Sequence, residues 1–197
     1  MERESMEYDV IIVGAGPSGL SAAIRLKQLA NEQSKEINVC VLEKGSEVGA
    51  HILSGNVFDP KALNELIPDW KEQDTPVKTS VLKDEVKYLI NENSSISVPL
   101  LFAPTFKNHG NYIISLANLC RWLGDYAEGL GVDIFPGYTA SEIIYEDDCV
   151  IGVGADVKTS PDFPISNIVW PIAKFSQSEI PVPVIAKVIS YIPSEDM

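Results

Sequence analysis

The stretch YDVIIVGAGPSGLSAAIRLKQLA, residues 8–30, constrains the fold more than any other part of the chain. Val10–Val13 is a short β-branched run without charge, which predicts a strand buried on both faces of a parallel sheet. Leu20, Ala23, Ile24, Leu26 and Leu29 then recur at helical spacing, with Arg25, Lys27 and Gln28 expected to face outward. Between strand and helix lie Gly14, Gly16 and Gly19, separated by Ala15, Pro17 and Ser18. A second apolar run at 37–42 follows the polar connector 31–35, so a right-handed β-α-β unit with parallel strands is predicted.

A lone G-x-G-x-x-G is weak, but here it directly follows a strand and opens a helix. The first glycine makes the tight turn, the second admits a pyrophosphate to the backbone, and the third lets helix and strand pack closely. Free N–H groups and the positive helix end then face the phosphates. Glu43 ends the second run, where a carboxylate accepts from an adenosine ribose and repels a 2′-phosphate. That favours FAD or NAD over NADP. The plain alternative is a tight turn beside a surface acid, and four features in register tell against it. The early position of the motif and the small residues Gly45, Gly49, Ser54 and Gly55 lean towards FAD, whose extended form such a loop can follow.

Further along, 61–66 predicts a short helix ended by Pro68, and residues 77–98 suggest strands near 77–82, 86–90 and 96–98. A loop holding Pro99 and Pro104 follows. Ser115 reads as the N-cap of a helix running to about Glu128, then 132–135 as a strand, then 143–145 and 149–153 as a hairpin. After Gly154 the composition changes: residues 155–197 contain no glycine but six of the thirteen prolines. The division expected is an FAD-binding domain at 1–154, with a β-rich insertion at about 77–104, and a Pro-rich tail at 155–197.

The net charge of −13 argues against nucleic acid and against broad electrostatic docking on anionic lipid. Cys40, Cys120 and Cys149 lie in apolar runs without a CxxC pair; they read as buried thiols in a reducing compartment, and no metal ligand set is expected. No segment approaches the ~20 apolar residues that span a bilayer. The N-terminal residues carry no signal or transit pattern.

The segments DVIIVGAGPSGLSAAIRLKQLA, VCVLEKGSEVGAHILSG, FDPKALNELIPDWKE and NHGNYIISLANLCRWLGDYAEGLGVDIFPGY closely resemble the N-terminal part of the electron transfer flavoprotein–ubiquinone oxidoreductase family. The resemblance runs over about residues 3–154, and GAHILSG, PDW and NHGNYI are its most specific parts. It implies an incomplete Rossmann-like α/β FAD-binding domain of the glutathione-reductase-like class, lacking the downstream strand of its sheet. It also implies an oxidoreductase that takes electrons from reduced electron transfer flavoprotein and passes them to ubiquinone on an inner membrane. The side would be cytoplasmic in bacteria or the matrix in mitochondria. Members carry FAD and a [4Fe–4S] cluster, and the cluster's cysteine ligands have no counterpart in this chain.

By this resemblance Gly14, Gly16, Pro17, Ser18 and Gly19 would hold the pyrophosphate and Glu43 the ribose. Lys44 would also contact the cofactor, and the loop 49–55, with His51, Ser54 and Gly55, would line the flavin region; for His51, as for His109, a hydrogen bond within its own loop is the alternative. No catalytic residue is assigned. Phe58, Leu63, Leu66, Ile67 and Trp70 would offer a shallow apolar face to the membrane, the alternative being an ordinary amphipathic surface helix. Two other functional classes stay open: a non-catalytic FAD- or ADP-binding module, and a different FAD- or NAD-dependent oxidoreductase.

Overall fold

A computed structural model describes residues 4–53, 55–98, 107–157 and 167–171. In chain order the elements begin with β1 (Glu4–Ser5), β2 (Val10–Val13), α1 (Pro17–Glu32), β3 (Val39–Glu43), β4 (Asn56–Phe58) and α2 (Lys61–Leu66). A 3₁₀ turn at Trp70–Glu72 leads to β5 (Thr79–Ser80), β6 (Val86–Asn91), β7 (Ser94–Val98) and β8 (Tyr112–Ile114). The chain continues through α3 (Leu116–Gly129), β9 (Val132–Pro136), β10 (Tyr138–Glu146), β11 (Cys149–Val157) and β12 (Asn167–Pro171). Two units result, one of residues 1–51 with 123–197 and one of residues 52–122.

The first unit is built on a parallel sheet in the order β2-β3-β9. Its middle strand, β3, has Val39, Cys40, Val41 and Leu42 almost wholly buried, because side chains on both of its faces are covered. On one face α1 seats Leu20, Ala23, Ile24 and Ala30. On the other, Cys40 and Leu42 pack with Tyr8, Ile11, Phe135, Tyr138, Ala140, Val153 and Ala155. These last come partly from β10 and β11, an antiparallel pair whose turn places Asp147 and Asp148 in the left-handed region, at φ 48° and 61°. Asp tolerates that region better than most residues, and such a turn matches the twist of the strands. β12 and then β1 extend the pair to a four-stranded sheet in the order β1-β12-β11-β10.

Three expectations change here. β2 is not central: among the described residues its outer edge carries no strand, so its side chains are only half-buried and Val13 is 47% exposed. Lys27 does not point out to water; its stem is half-buried and Nζ donates to the Ile37 carbonyl at 3.0 Å. The β10–β11 strands extend well beyond the expected limits, so β11 runs past Gly154 to Val157 and pairs with β12. The remainder of 155–197, with Pro161, Pro164, Pro181, Pro183 and Pro193, lies outside the described residues, as do Pro99 and Pro104.

The second unit holds α2, the antiparallel sheet β4-β8-β5 and the separate hairpin β6–β7. Its core is Leu63, Ile67, Trp70, Val77, Val81 and Ile114. Trp70 is 1% exposed, stands edge-on to Tyr112 at 5.6 Å and donates Nε1–H to Asn64 Oδ1 at 2.7 Å. The expected exposed apolar face over Phe58–Trp70 is therefore largely turned inward. Leu63, Ile67 and Trp70 are the residues this unit uses to make a core, and the indole N–H is satisfied on the spot. Exposed apolar side chains are found elsewhere, with Val57 of β4 directly opposite Ile113 of β8 and both about half exposed. β4 and β8 were not expected from sequence, because three-residue strands carry too little alternation to read. Loop residues are joined by Asp84, which accepts from the backbone N–H and Nδ2 of Asn108, each at 2.9 Å. Those bonds hold its carboxyl below the usual carboxylate range.

Candidate functional site

The candidate site lies at the carboxyl ends of β2 and β3, where the glycine turn meets Glu43. Gly14 takes φ +101°, a conformation that glycine adopts without the penalty of a side chain, and donates its N–H to the Leu42 carbonyl at 2.7 Å. This bond ties the turn to the end of β3. Gly19 has no room for a side chain: a Cβ would stand 2.0 Å from the Gly14 carbonyl oxygen and 3.2 Å from Ile12 Cγ2. There α1 lies against the end of β2 and the glycine turn with no space for a methyl group. Gly16 faces open space, with nothing within 4 Å of a Cβ built there. The three glycines thus answer three different demands, a turn, an approach and a packing contact.

Gly16 is the N-cap of α1 and Pro17 its first residue; no side chain caps the helix and no acid stands in its first turn. Proline suits that position because it forgoes an N–H that would have no helical partner. The positive end of a 16-residue helix is left to an anion. Pro17 and Ser18 are exposed there, and Gly16 and Gly19 are half-buried.

Glu43 is half-buried, and both carboxylate oxygens take backbone donors. Oε2 accepts from the Ala15 N–H at 2.9 Å and Oε1 from the Gly45 N–H at 2.7 Å. Gly45 in turn accepts from the Gly137 N–H at 2.7 Å, at the corner between β9 and β10. A dinucleotide fits these residues: the helix end and open Gly16 suit a pyrophosphate, and an ionised carboxylate with four acceptor sites retains two for a ribose diol. Gly14, Gly16, Pro17, Ser18, Gly19 and Glu43 are brought together, and Lys44 follows directly on the surface. Ala15, Gly45 and Gly137 were not among the expected site residues, because a backbone N–H leaves no mark in sequence.

The other expected residues are less informative. His51 is exposed at the end of the 45–51 loop, and His109 is exposed in the second unit. Gly55 belongs to the second unit, at φ +91°, and Ser54 lies outside the described residues. Cys40 and Cys120 are buried, as expected, but Cys149 is exposed, since it starts β11 at the tip of the hairpin. Burial, with the Asp133 charge adding to it, pushes the Cys40 thiol up to about 12. Among the described residues no group of three His, Cys, Asp or Glu side chains could hold a metal ion. A [4Fe–4S] cluster therefore does not fit this part of the chain.

The NAD(P)-binding Rossmann-like domain family matches residues 12–69. The electron transfer flavoprotein–ubiquinone oxidoreductase of Pseudomonas aeruginosa is 61% identical over 152 residues, 77% of this chain and 28% of the relative. The mitochondrial one of Dictyostelium discoideum is 58% identical over 146 residues, 74% of this chain and 24% of the relative. That of Rattus norvegicus is 53% identical over 148 residues, 75% and 24%. The chain spans about a quarter of the length of these relatives, at their N-terminal part. In fold it resembles a geranylgeranyl bacteriochlorophyll reductase-like protein from Thermoplasma acidophilum, with TM-score 0.59 at 19% identity, covering 85% of this chain and 38% of that one. It also resembles a myxobacterial chondrochloren halogenase of the FAD-dependent type, with TM-score 0.53 at 16% identity, covering 84% and 35%. The fold is thus a Rossmann-like α/β fold, and over about three quarters of its length the chain matches the N-terminal part of electron transfer flavoprotein–ubiquinone oxidoreductases.

Proposed function

We propose that this chain is the N-terminal FAD-binding portion of an oxidoreductase that takes electrons from reduced electron transfer flavoprotein and passes them to ubiquinone. The observation that carries the reading is the uncapped, glycine-framed start of α1 beside the clamped carboxylate of Glu43. The extensive identity to relatives named for this activity supports it.

In this reading the N–H groups of the first turn of α1, opened to the ligand by Gly16, bind the pyrophosphate. Glu43 accepts from the ribose hydroxyls and, through its negative charge, rejects a 2′-phosphate. Gly14 and Gly19 set the turn and the helix at the spacing this requires. When bound, FAD would supply the redox chemistry, since the flavin is the group that accepts and releases the electrons. The chain's own part is to bind and orient the adenosine diphosphate half.

Attachment to the surface of an inner membrane belongs to the same proposal. The exposed pair Val57 and Ile113, with Leu53 and Leu82, supports it in place of the buried Leu63, Ile67 and Trp70. Co-sedimentation with phospholipid vesicles tests this: the wild type should pellet with them and Val57→Asp/Ile113→Asp should not.

The cofactor is tested directly. Purified protein incubated with FAD and desalted should stay yellow and release FAD on heating, and ADP should compete. Protein that stays colourless with FAD yet binds NAD would favour a nicotinamide-dependent oxidoreductase instead.

A further inference from the structure

Glu43 spends both oxygens on backbone donors from two different loops. Ala15 lies within the glycine turn, 28 residues before Glu43, and Gly45 opens the loop after β3. The Gly45 carbonyl is itself held by the Gly137 N–H at the β9–β10 corner. One continuous set of bonds therefore runs over the carboxyl ends of β2, β3 and β9, with Glu43 at its centre.

We propose that Glu43 is a positioning residue as well as a ribose acceptor: its carboxylate latches the glycine turn to the 45–51 loop, so that the adenosine side of the site is formed before the nucleotide arrives. A carboxylate suits this role and an amide does not. Each carboxylate oxygen has two lone pairs, so each can take one backbone N–H and still offer one site outward. A carboxamide has a single acceptor oxygen, and its NH₂ would face one of the two backbone N–H donors. Hydrogen bonds to a charged acceptor are also roughly twice as strong as neutral ones. Holding the turn in its bound geometry removes an ordering cost that the ligand would otherwise bear. The inference rests on the nucleotide-binding reading for its purpose, while the latch is read from the Ala15 and Gly45 hydrogen bonds alone.

The test is amide hydrogen exchange and ¹H–¹⁵N spectroscopy on the ligand-free full chain, comparing wild type with Glu43→Gln and Glu43→Ala. In the wild type, the Ala15 and Gly45 amide protons should be protected and shifted downfield by the carboxylate. Glu43→Gln should lose about tenfold or more of the protection at one of the two, and Glu43→Ala at both, as expected for lost bonds to a charged acceptor. Glu43→Gln keeps the size of the side chain, so its dispersion of amide signals shows whether the fold survives. Unprotected amides in the wild type, or unchanged exchange in Glu43→Ala, would overturn the latch. Titration with ADP separates the two readings. Protected amides in a wild type that ignores ADP would uphold the latch and remove the nucleotide role. ADP binding by a wild type with unprotected amides would do the reverse.

Discussion

Tyr8 donates its hydroxyl to Asp133 Oδ2 at 2.7 Å, joining the residue just before β2 to β9 across 125 positions of sequence. The Tyr8 ring is buried and stands edge-on to Phe135 at 6.2 Å, so the hydroxyl reaches Asp133 from the side of the core. Tyr8→Phe keeps the ring and removes the bond, and should lower unfolding free energy by about 1 kcal/mol in urea titrations. Asp133→Ala should cost at least as much, since it leaves the hydroxyl without this acceptor.

The same pair makes the fold sensitive to alkali. Burial first, then the hydrogen bond to Asp133 and its charge, raise the Tyr8 hydroxyl above its ordinary 10.0. Cys40 is pushed up from 9.0 to about 12 by burial, with Asp133 adding to it. Both groups are neutral in the folded state, so their contribution is complete below those ordinary values. It is lost as pH rises through the raised ones, because the unfolded chain gives up its protons sooner. Melting temperature should hold up to about pH 9 and fall above it, and Tyr8→Phe should flatten part of that fall.

Gly19→Ala should break the site and the first unit together. The added methyl would meet the Gly14 carbonyl at 2.0 Å, and neither α1 nor β2 can move aside without opening the turn. A loss of about 1–3 kcal/mol or more in thermal unfolding is expected, with loss of FAD and ADP binding. Gly16→Ala is the informative partner. Open space surrounds that position, so stability should change little while binding falls where the methyl meets the ligand. Equal destabilisation by both would count against the separate roles of the two glycines.

Trp70→Ala should cost about 3–5 kcal/mol, because it empties the centre of the second unit and removes the partner of Asn64 and Tyr112. Limited proteolysis should then cut within 52–122. Were Trp70 a surface anchor, the same change would leave the cutting pattern as in wild type.

Thiol titration distinguishes the three cysteines. Cys149 is exposed, whereas Cys40 and Cys120 are buried. A soluble disulfide reagent at neutral pH should modify one thiol quickly in the native chain, lost in Cys149→Ser, and all three after unfolding.

Much of the candidate site's framework was legible in the sequence, because the demands of a strand, a glycine turn and a helix start are local. A strand, a turn that only glycine can make and a helix start lie within residues 10–20, and periodicity identifies both flanking elements. The helix α2 and the hairpin turn at Asp147 and Asp148 were legible for the same reason. Less local features were not. Hydrophobic pattern marks Leu63, Ile67 and Trp70 as apolar, but it cannot say whether the face they form meets a membrane or a core. Likewise the β-branched run of β2 looks the same at the edge of a sheet as at its centre.

The order strand, glycine turn, helix, strand, acid belongs to the sequence alone, since each part follows from backbone sterics and side-chain period over a few residues. Which donors the acid holds was decided only by the tertiary structure. Parallel pairing brings the ends of β2, β3 and β9 level, so Ala15, Gly45 and Gly137 present their N–H groups where Glu43 and the Gly45 carbonyl can take them. Hydrogen bonds are short-ranged and directional, and a contact between backbone groups far apart in the chain exists only once the sheet has set their register.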